Sequence, residues 1–301
     1  MTSITILDGG MSRELVRLGA TLRQPEWSAL ALMENPEIVR RVHEEFIGAG
    51  ADVITTNSYA LVPFHIGETR FREEGRQLIA LAGRLAREAA DAAGDGRIRV
   101  AGSLPPIFGS YEPQLFDPDR VHDYLSVLVA ELNSSVDVFL GETLSLIAEA
   151  EAVEQAVAAT GKPFWISFTL QDEPGAEARP PVLRSGESVE EAARWIAGSN
   201  AAALLFNCSR PEVMQSALAV AGAVLAKSGR TVPLGVYANA FTTEEEGAAN
   251  ETLHAIRDDL SDDRYSSFAC EWVESGATMI GGCCGVGASH IHRVKRRVSK
   301  D

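Results

Sequence analysis

The stretch Ala203-Leu204-Leu205-Phe206-Asn207-Cys208-Ser209-Arg210-Pro211 decides the fold. Four apolar residues without alternation suit a strand covered on both faces, the condition of parallel sheets in α/β proteins. Ser209-Arg210-Pro211 then offers a capping residue type and a proline where a helix can begin. The Ala-, Val- and Leu-rich segment Pro211–Lys227 reads as that helix.

The same unit recurs along the chain. Apolar runs at Ile4–Leu7, Val53–Thr56, Ile98–Ala101, Val136–Leu140, Phe164–Phe168, Leu234–Tyr237 and Thr278–Ile280 join Ala203–Phe206 as candidate strands. Helical stretches separate them at Pro36–Gly48, Arg72–Ala93, Asp119–Ser134, Leu146–Ala158, Val189–Ala197 and Arg264–Glu274, and Ser289–Val298 closes the series. Asn35-Pro36 and Asp117-Pro118 carry the same start signal. Eight strands, each followed by a helix, predict a (β/α)₈ TIM barrel over an open doubly wound sheet, as a single domain over residues 1–301. Gln171–Gly186 and Phe241–Asp263 read as polar loops, long enough for lids or surface excursions.

Lys and Arg number 27 against 42 Asp and Glu, a formal charge of −15. That surface repels phosphate backbones and anionic lipid, so neither nucleic acid nor membrane is an expected partner. No run approaches the roughly 20 apolar residues of a spanning helix. The first residues lack the basic and apolar blocks of a secretory signal, so a cytoplasmic location with reduced cysteines is expected. Small-molecule substrates are the expected partners, and assembly into a homo-oligomer is left open.

Chemistry-capable residues fall at the strand ends. Asp8-Gly9-Gly10 follows the first strand, Thr55–Tyr59 the second, Gly102-Ser103 the third and Gly141-Glu142-Thr143 the fourth. Asn207-Cys208, Asn239 and Gly281-Gly282-Cys283-Cys284-Gly285 end strands six, seven and eight. All of these open on the C-terminal mouth, where barrel enzymes keep their active sites.

Strands six and eight lie close enough around a ring for Cys208, Cys283 and Cys284 to converge. Three thiolates with an open fourth position suit a zinc ion acting on a substrate, and sulfur favours zinc over magnesium or calcium. Spacing alone also allows small buried hydrophobes or an incidental vicinal pair. The flanking glycines permit the backbone angles that adjacent ligands need. Cys270 reads as helix packing.

A carboxylate directly after an apolar run, as at Glu142, needs a partner. It could hold an ammonium, act as a base or pair with an arginine. Asp8 has the same options, or caps the Gly9-Gly10 turn. The amides near Gly9 and Gly10 and the hydroxyls of Thr55, Thr56 and Ser103 could receive a ligand carboxylate. His43, His122, His254 and His292 read as surface residues, with His65 nearer the mouth. No nucleophilic triad, dinucleotide fingerprint or P-loop is present in the pattern.

Taken together these motifs resemble the homocysteine S-methyltransferases. The matching pieces are Leu7-Asp8-Gly9-Gly10 with Glu14-Leu15 and Gly19, Trp27-Ser28, Asn35-Pro36-Glu37 and Gly50-Ala51-Asp52 with Thr55–Tyr59. Ala101-Gly102-Ser103, Glu142-Thr143-Leu144 with Glu149-Ala150, Trp165–Leu170, Asn207-Cys208 and Gly281–Gly285 complete them in family order. The resemblance implies a (β/α)₈ barrel with Zn²⁺ held by Cys208, Cys283 and Cys284. It implies that Asp8 and Glu142 hold the amino-acid end of homocysteine, helped by Thr55 or Ser103. Gly9, Gly10 and Asn239 complete the expected substrate-binding set. The length suggests the free-standing branch that uses S-methylmethionine or S-adenosylmethionine.

The segment Leu104–Tyr111 and Tyr237-Ala238-Asn239-Ala240 depart from that branch, and both bear on the methyl donor. Betaine or another onium donor, a selenol acceptor, or a non-catalytic homocysteine- or zinc-binding protein are the rival readings.

Overall fold

A computed structural model of the chain describes residues 3–94, 96–241 and 257–299. The apolar runs form eight parallel strands in the ring order β1-β8-β7-β6-β5-β4-β3-β2. They are β1 (Thr5–Ile6), β2 (Val53–Thr55), β3 (Arg99–Leu104), β4 (Val138–Leu144), β5 (Phe164–Phe168), β6 (Ala203–Asn207), β7 (Leu234–Ala238) and β8 (Ala277–Gly282). An isolated parallel bridge between Leu7 and Val53 joins the two ends of that order. The result is the predicted (β/α)₈ barrel.

The helices are α1 (Met11–Arg17), α2 (Ser28–Glu34), α3 (Pro36–Ala49), α4 (Pro63–Ile66), α5 (Glu68–Ala92), α6 (Val121–Leu132), α7 (Ile147–Val157), α8 (Val189–Gly198), α9 (Pro211–Ser228), α10 (Asp262–Glu274) and α11 (Ala288–Val298). Pro36 and Pro211 occupy first helical turns as expected, although neither Asn35 nor Arg210 caps through its side chain. Asp117 instead bonds the Asp119 amide within a turn, and α6 starts later, at Val121. Among the described residues no helix is long and apolar enough to cross a membrane.

Period-two alternation sorts each strand into an outer and an inner face. Ile6, Ile54, Val100, Phe139, Ile166, Leu204, Val236 and Ile280 pack outward beneath the helices. Leu7, Val53, Ala101, Leu140, Trp165, Leu205 and Met279 form a separate inner cluster that fills the ring. The guanidinium of Arg99 lies 5.2 Å from the Trp165 ring, at the end opposite the mouth. Gly235 keeps this interior close-packed, since a Cβ there would stand 2.8 Å from Leu205 and 2.9 Å from Met279.

Strands three and four run further than their apolar composition suggests, through Ser103 and through Glu142-Thr143-Leu144. The ladder continues because these polar residues stay on the inner face and bond one another across it. Helices α1, α2 and α4, too short for a clear periodic signal, occupy the connections after β1 and β2. The segment Gln171–Gly186 folds back on the barrel through bridges Leu170–Leu183 and Val182–Ser188. Most of the predicted Phe241–Asp263 loop lies outside the described residues.

Closure between β1 and β2 rests on Asp52. Its amide donates to the Ile6 carbonyl at 2.7 Å, its carboxylate accepts the Ile6 amide at 2.9 Å, and Lys295 Nζ lies 3.0 Å from the same oxygen. Asp52→Ala leaves the Ile6 amide without its partner and should lower the unfolding free energy by about 1–3 kcal/mol in urea titration. Lys295→Ala removes only a partly exposed ion pair and should cost less than about 1 kcal/mol. Equal losses in the two variants would disprove a special role for the amide contact.

Candidate active site

The inner alternation carries on past the apolar layers, so the last inward residue of most strands is polar. Thr55, Ser103, Glu142, Ser167, Asn207 and Tyr237 thereby reach one level at the mouth, beside the segment after β8. A cleft opens there, lined by Asp8, Gly9, Gly10, Glu142 and the three cysteines, with Trp27, Tyr59 and Tyr237 among its walls.

Cys208 follows β6, and Cys283 and Cys284 follow β8. Their Sγ atoms lie 3.0 Å (208–283), 3.9 Å (208–284) and 4.0 Å (283–284) apart. None is in a disulfide. A tetrahedral zinc site with bonds of about 2.3 Å has sulfur–sulfur edges of about 3.8 Å. Two of the three edges match that value, and the donor set is the one soft metals take. The residues therefore fit a metal ion.

Close approach of backbones makes the cluster possible. A Cβ on Gly10 would stand 2.5 Å from the Cys283 carbonyl oxygen, so only glycine admits the cysteine turn beside the first loop. Gly285, at φ +83°, ends that turn in the left-handed region. Hydrogen bonding with Cys283 and Cys284 holds the Cys208 thiol well below the usual range, while those two thiols are pushed up.

The two predicted carboxylates face the same cleft. Asp8 accepts the Thr55 amide at 2.7 Å and the Thr55 hydroxyl at 3.1 Å. Glu142 accepts Ser103 Oγ at 2.5 Å and the Tyr237 hydroxyl at 3.3 Å. Burial is the largest cause raising both, Asp8 from 3.8 and Glu142 from 4.5, each to about 7. Among the described residues neither is joined to an Arg or Lys in an ion pair. Two buried carboxyls without a protein cation are poised for a cationic ligand.

Thr55 and Ser103 thus support the carboxylates, and Ser103 is fully buried behind Glu142 rather than lining the cleft. Gly9 and Gly10 do line it. Asn239 sits at the end of β7, outside the cleft wall, its Oδ1 buried without a hydrogen-bond partner. His43 is not a surface residue. It is fully buried in α3, neither ring nitrogen bonded, and burial pushes it down to about 4. His122 and His292 are exposed, and His65 bonds the Pro25 carbonyl at 3.0 Å. His254 lies outside the described residues.

The backbone conformation of the site carries no sequence signal. Among the described residues the non-glycine positions with positive φ are Trp27, Tyr111, Thr143 and Cys208, and all four are at this site. Strain of this kind clusters where a site over-determines its backbone. Tyr111 donates its hydroxyl to the Cys208 carbonyl at 2.9 Å, and Arg184 packs 4.3 Å from its ring. Asn207 stands where the sequence placed it, a polar residue ending a buried strand, although no role was attached to it there.

The raised Glu142 has a stability consequence. Its contribution is complete below pH 4.5 and is lost as the pH climbs through about 7, because the folded state resists the charged form. Glu142→Gln should match the parent at pH 4 in urea unfolding of chelator-treated protein. At pH 8 it should exceed the parent by on the order of 3 kcal/mol. A gap independent of pH would rule out burial of the charge as its cause.

Residues 5–298 match the homocysteine S-methyltransferase family. The chain is 30% identical to homocysteine S-methyltransferase 1 of Arabidopsis thaliana, over 98% of this chain and 93% of that one. It is 29% identical to the selenocysteine methyltransferase of Astragalus bisulcatus, over 93% and 88%. The metallated form of the homocysteine methyltransferase MmuM from Escherichia coli superposes with a TM-score of 0.78 at 28% identity, covering 98% of this chain and 96% of that one. With its barrel, its thiol cluster and a match along nearly its whole length, the chain belongs to the homocysteine S-methyltransferase family, enzymes that methylate the sulfur of homocysteine.

Proposed function

We propose that the chain transfers a methyl group from a sulfonium donor, S-methylmethionine or S-adenosylmethionine, to homocysteine, with Zn²⁺ held by Cys208, Cys283 and Cys284. The observation that carries this reading is the placement of three sulfurs, all within 4.8 Å of one another, beside two buried carboxylates that lack a cation. The zinc, when bound, supplies the Lewis acidity that keeps a thiol ionised at neutral pH.

The chain's own residues do the rest. Asp8 and Glu142 grip the substrate ammonium, each already oriented by Thr55 or by Ser103 and Tyr237. The amides beside Gly9 and Gly10 are available to the substrate carboxylate. Trp27 and Tyr59 wall the cleft and exclude water from the reacting sulfur. Homocysteine sulfur, as thiolate, forms the new S–CH₃ bond while the donor's CH₃–S⁺ bond breaks, and the donor leaves as a neutral sulfide. Anion and cation are both discharged, so no residue has to move a proton at carbon, and positioning dominates the rate. The likeness to a selenocysteine methyltransferase supports a second reading in which a selenol replaces the thiol as acceptor.

Cys283→Ala should lose the bound metal and all methyl transfer, read by metal analysis and by mass spectrometry of products from homocysteine with each sulfonium donor. Full turnover in that variant defeats the ligand assignment. Glu142→Ala should keep its metal and raise the KM for homocysteine by about tenfold or more, the loss of one charge-assisted contact. An unchanged KM would remove Glu142 from substrate binding.

A further inference from the structure

Strand β4 carries an irregularity at the site. Gly141 pairs with Ile166 and Leu144 with Phe168, so three steps on β4 face two on β5. The extra residue falls within Glu142-Thr143, and Thr143 has φ +60°. A β-branched residue tolerates that region poorly, and a bulge of this kind re-aims a side chain next to an active site. Here the neighbour is Glu142.

The side chain of Asn207, fully buried at the end of β6, holds the bulge from both sides. Its Oδ1 accepts the Thr143 amide at 2.9 Å, and its Nδ2 donates to the Thr143 hydroxyl at 2.9 Å. Ser167, from the strand between them, donates to the same Oδ1 at 2.7 Å. These bonds replace the ladder contacts that the extra residue forfeits. Nδ2 also lies 4.0 Å from Cys283 Sγ, a much weaker contact.

We infer that Asn207 is a positioning residue for homocysteine, acting through Thr143 to fix the bulge beside Glu142 and so hold in place a carboxylate that strand alternation already directs into the cleft. The inference rests on the proposed reading of Glu142 as a holder of the substrate ammonium. It separates Asn207 from the thiol cluster next to it in sequence, since its principal bonds go to the carboxylate side.

Glycine accepts φ +60° without a clamp, and this gives the test. Homocysteine Kd and zinc content are measured on the zinc-loaded enzymes. Asn207→Ala should weaken homocysteine binding by about tenfold while retaining its zinc. Asn207→Ala/Thr143→Gly should recover most of that loss.

If Asn207→Ala does not fold, Thr143 alone decides. Thr143→Val keeps the strained branch and drops one clamp bond, so it should bind homocysteine several-fold more weakly than Thr143→Gly. A packing role predicts the opposite order, because glycine removes more of the side chain. A double variant no better than Asn207→Ala, or valine outperforming glycine, overturns the inference. Weak binding by Glu142→Ala alongside normal binding by Asn207→Ala sinks the inference alone. Normal binding by Glu142→Ala sinks the ammonium reading and the inference with it.

Discussion

A closed ring of parallel strands leaves the inward side chains no route to solvent except at its two ends, and everything at this site follows from that constraint. Each strand delivers its alternate residues to the interior, where Leu140, Trp165 and Leu205 fill the middle. Whatever comes next on the inner face must be satisfied by its neighbours or by a ligand. Ser103 finds Glu142, Ser167 finds Asn207, and Thr55 finds Asp8. The network is dense because the geometry allows few partners, and it is rigid for the same reason.

The network is also electrically one-sided. Thiols and carboxylates gather in one cleft, and among the described residues no ion pair neutralises either carboxylate. Burial without a cationic neighbour resists ionisation, which is why Asp8 and Glu142 are raised so far. Cationic partners relieve that resistance, so ligands that bind here also stabilise the fold that binds them. Affinity and stability are therefore linked at the mouth, and the barrel below can remain an ordinary apolar core.

Much of this was legible in the chain. All eight strands stand out as apolar runs, because strands covered on both faces have no polar alternation to hide them. Cys208, Cys283 and Cys284 were visible as soft donors at strand ends, and the ring brings them together. The ends of β3 and β4 were less legible, since Ser103 and Glu142 look like loop residues until their mutual bond is seen. Thr143 and the Leu104–Tyr111 segment were placed at the mouth, but the left-handed backbone of Thr143 and Tyr111 was not, because nothing in residue type announces it. His43 misled for a different reason. Its residue type suggested the surface, but its spacing, four after Val39 and three before Phe46, puts it on the apolar face of α3.

The short first strand has a consequence of its own. With only Thr5 and Ile6 in the strand, β1 supplements its few backbone contacts to β2 with two side chains, Asp52 below and Asp8 above. The upper one is also the carboxylate that faces the cleft. Occupancy of the cleft and integrity of the hoop are thus fastened by a single clasp. A molecule drawn to Asp8 bears on the join between the first two staves, and parting them there would pull that carboxylate away from its Thr55 support.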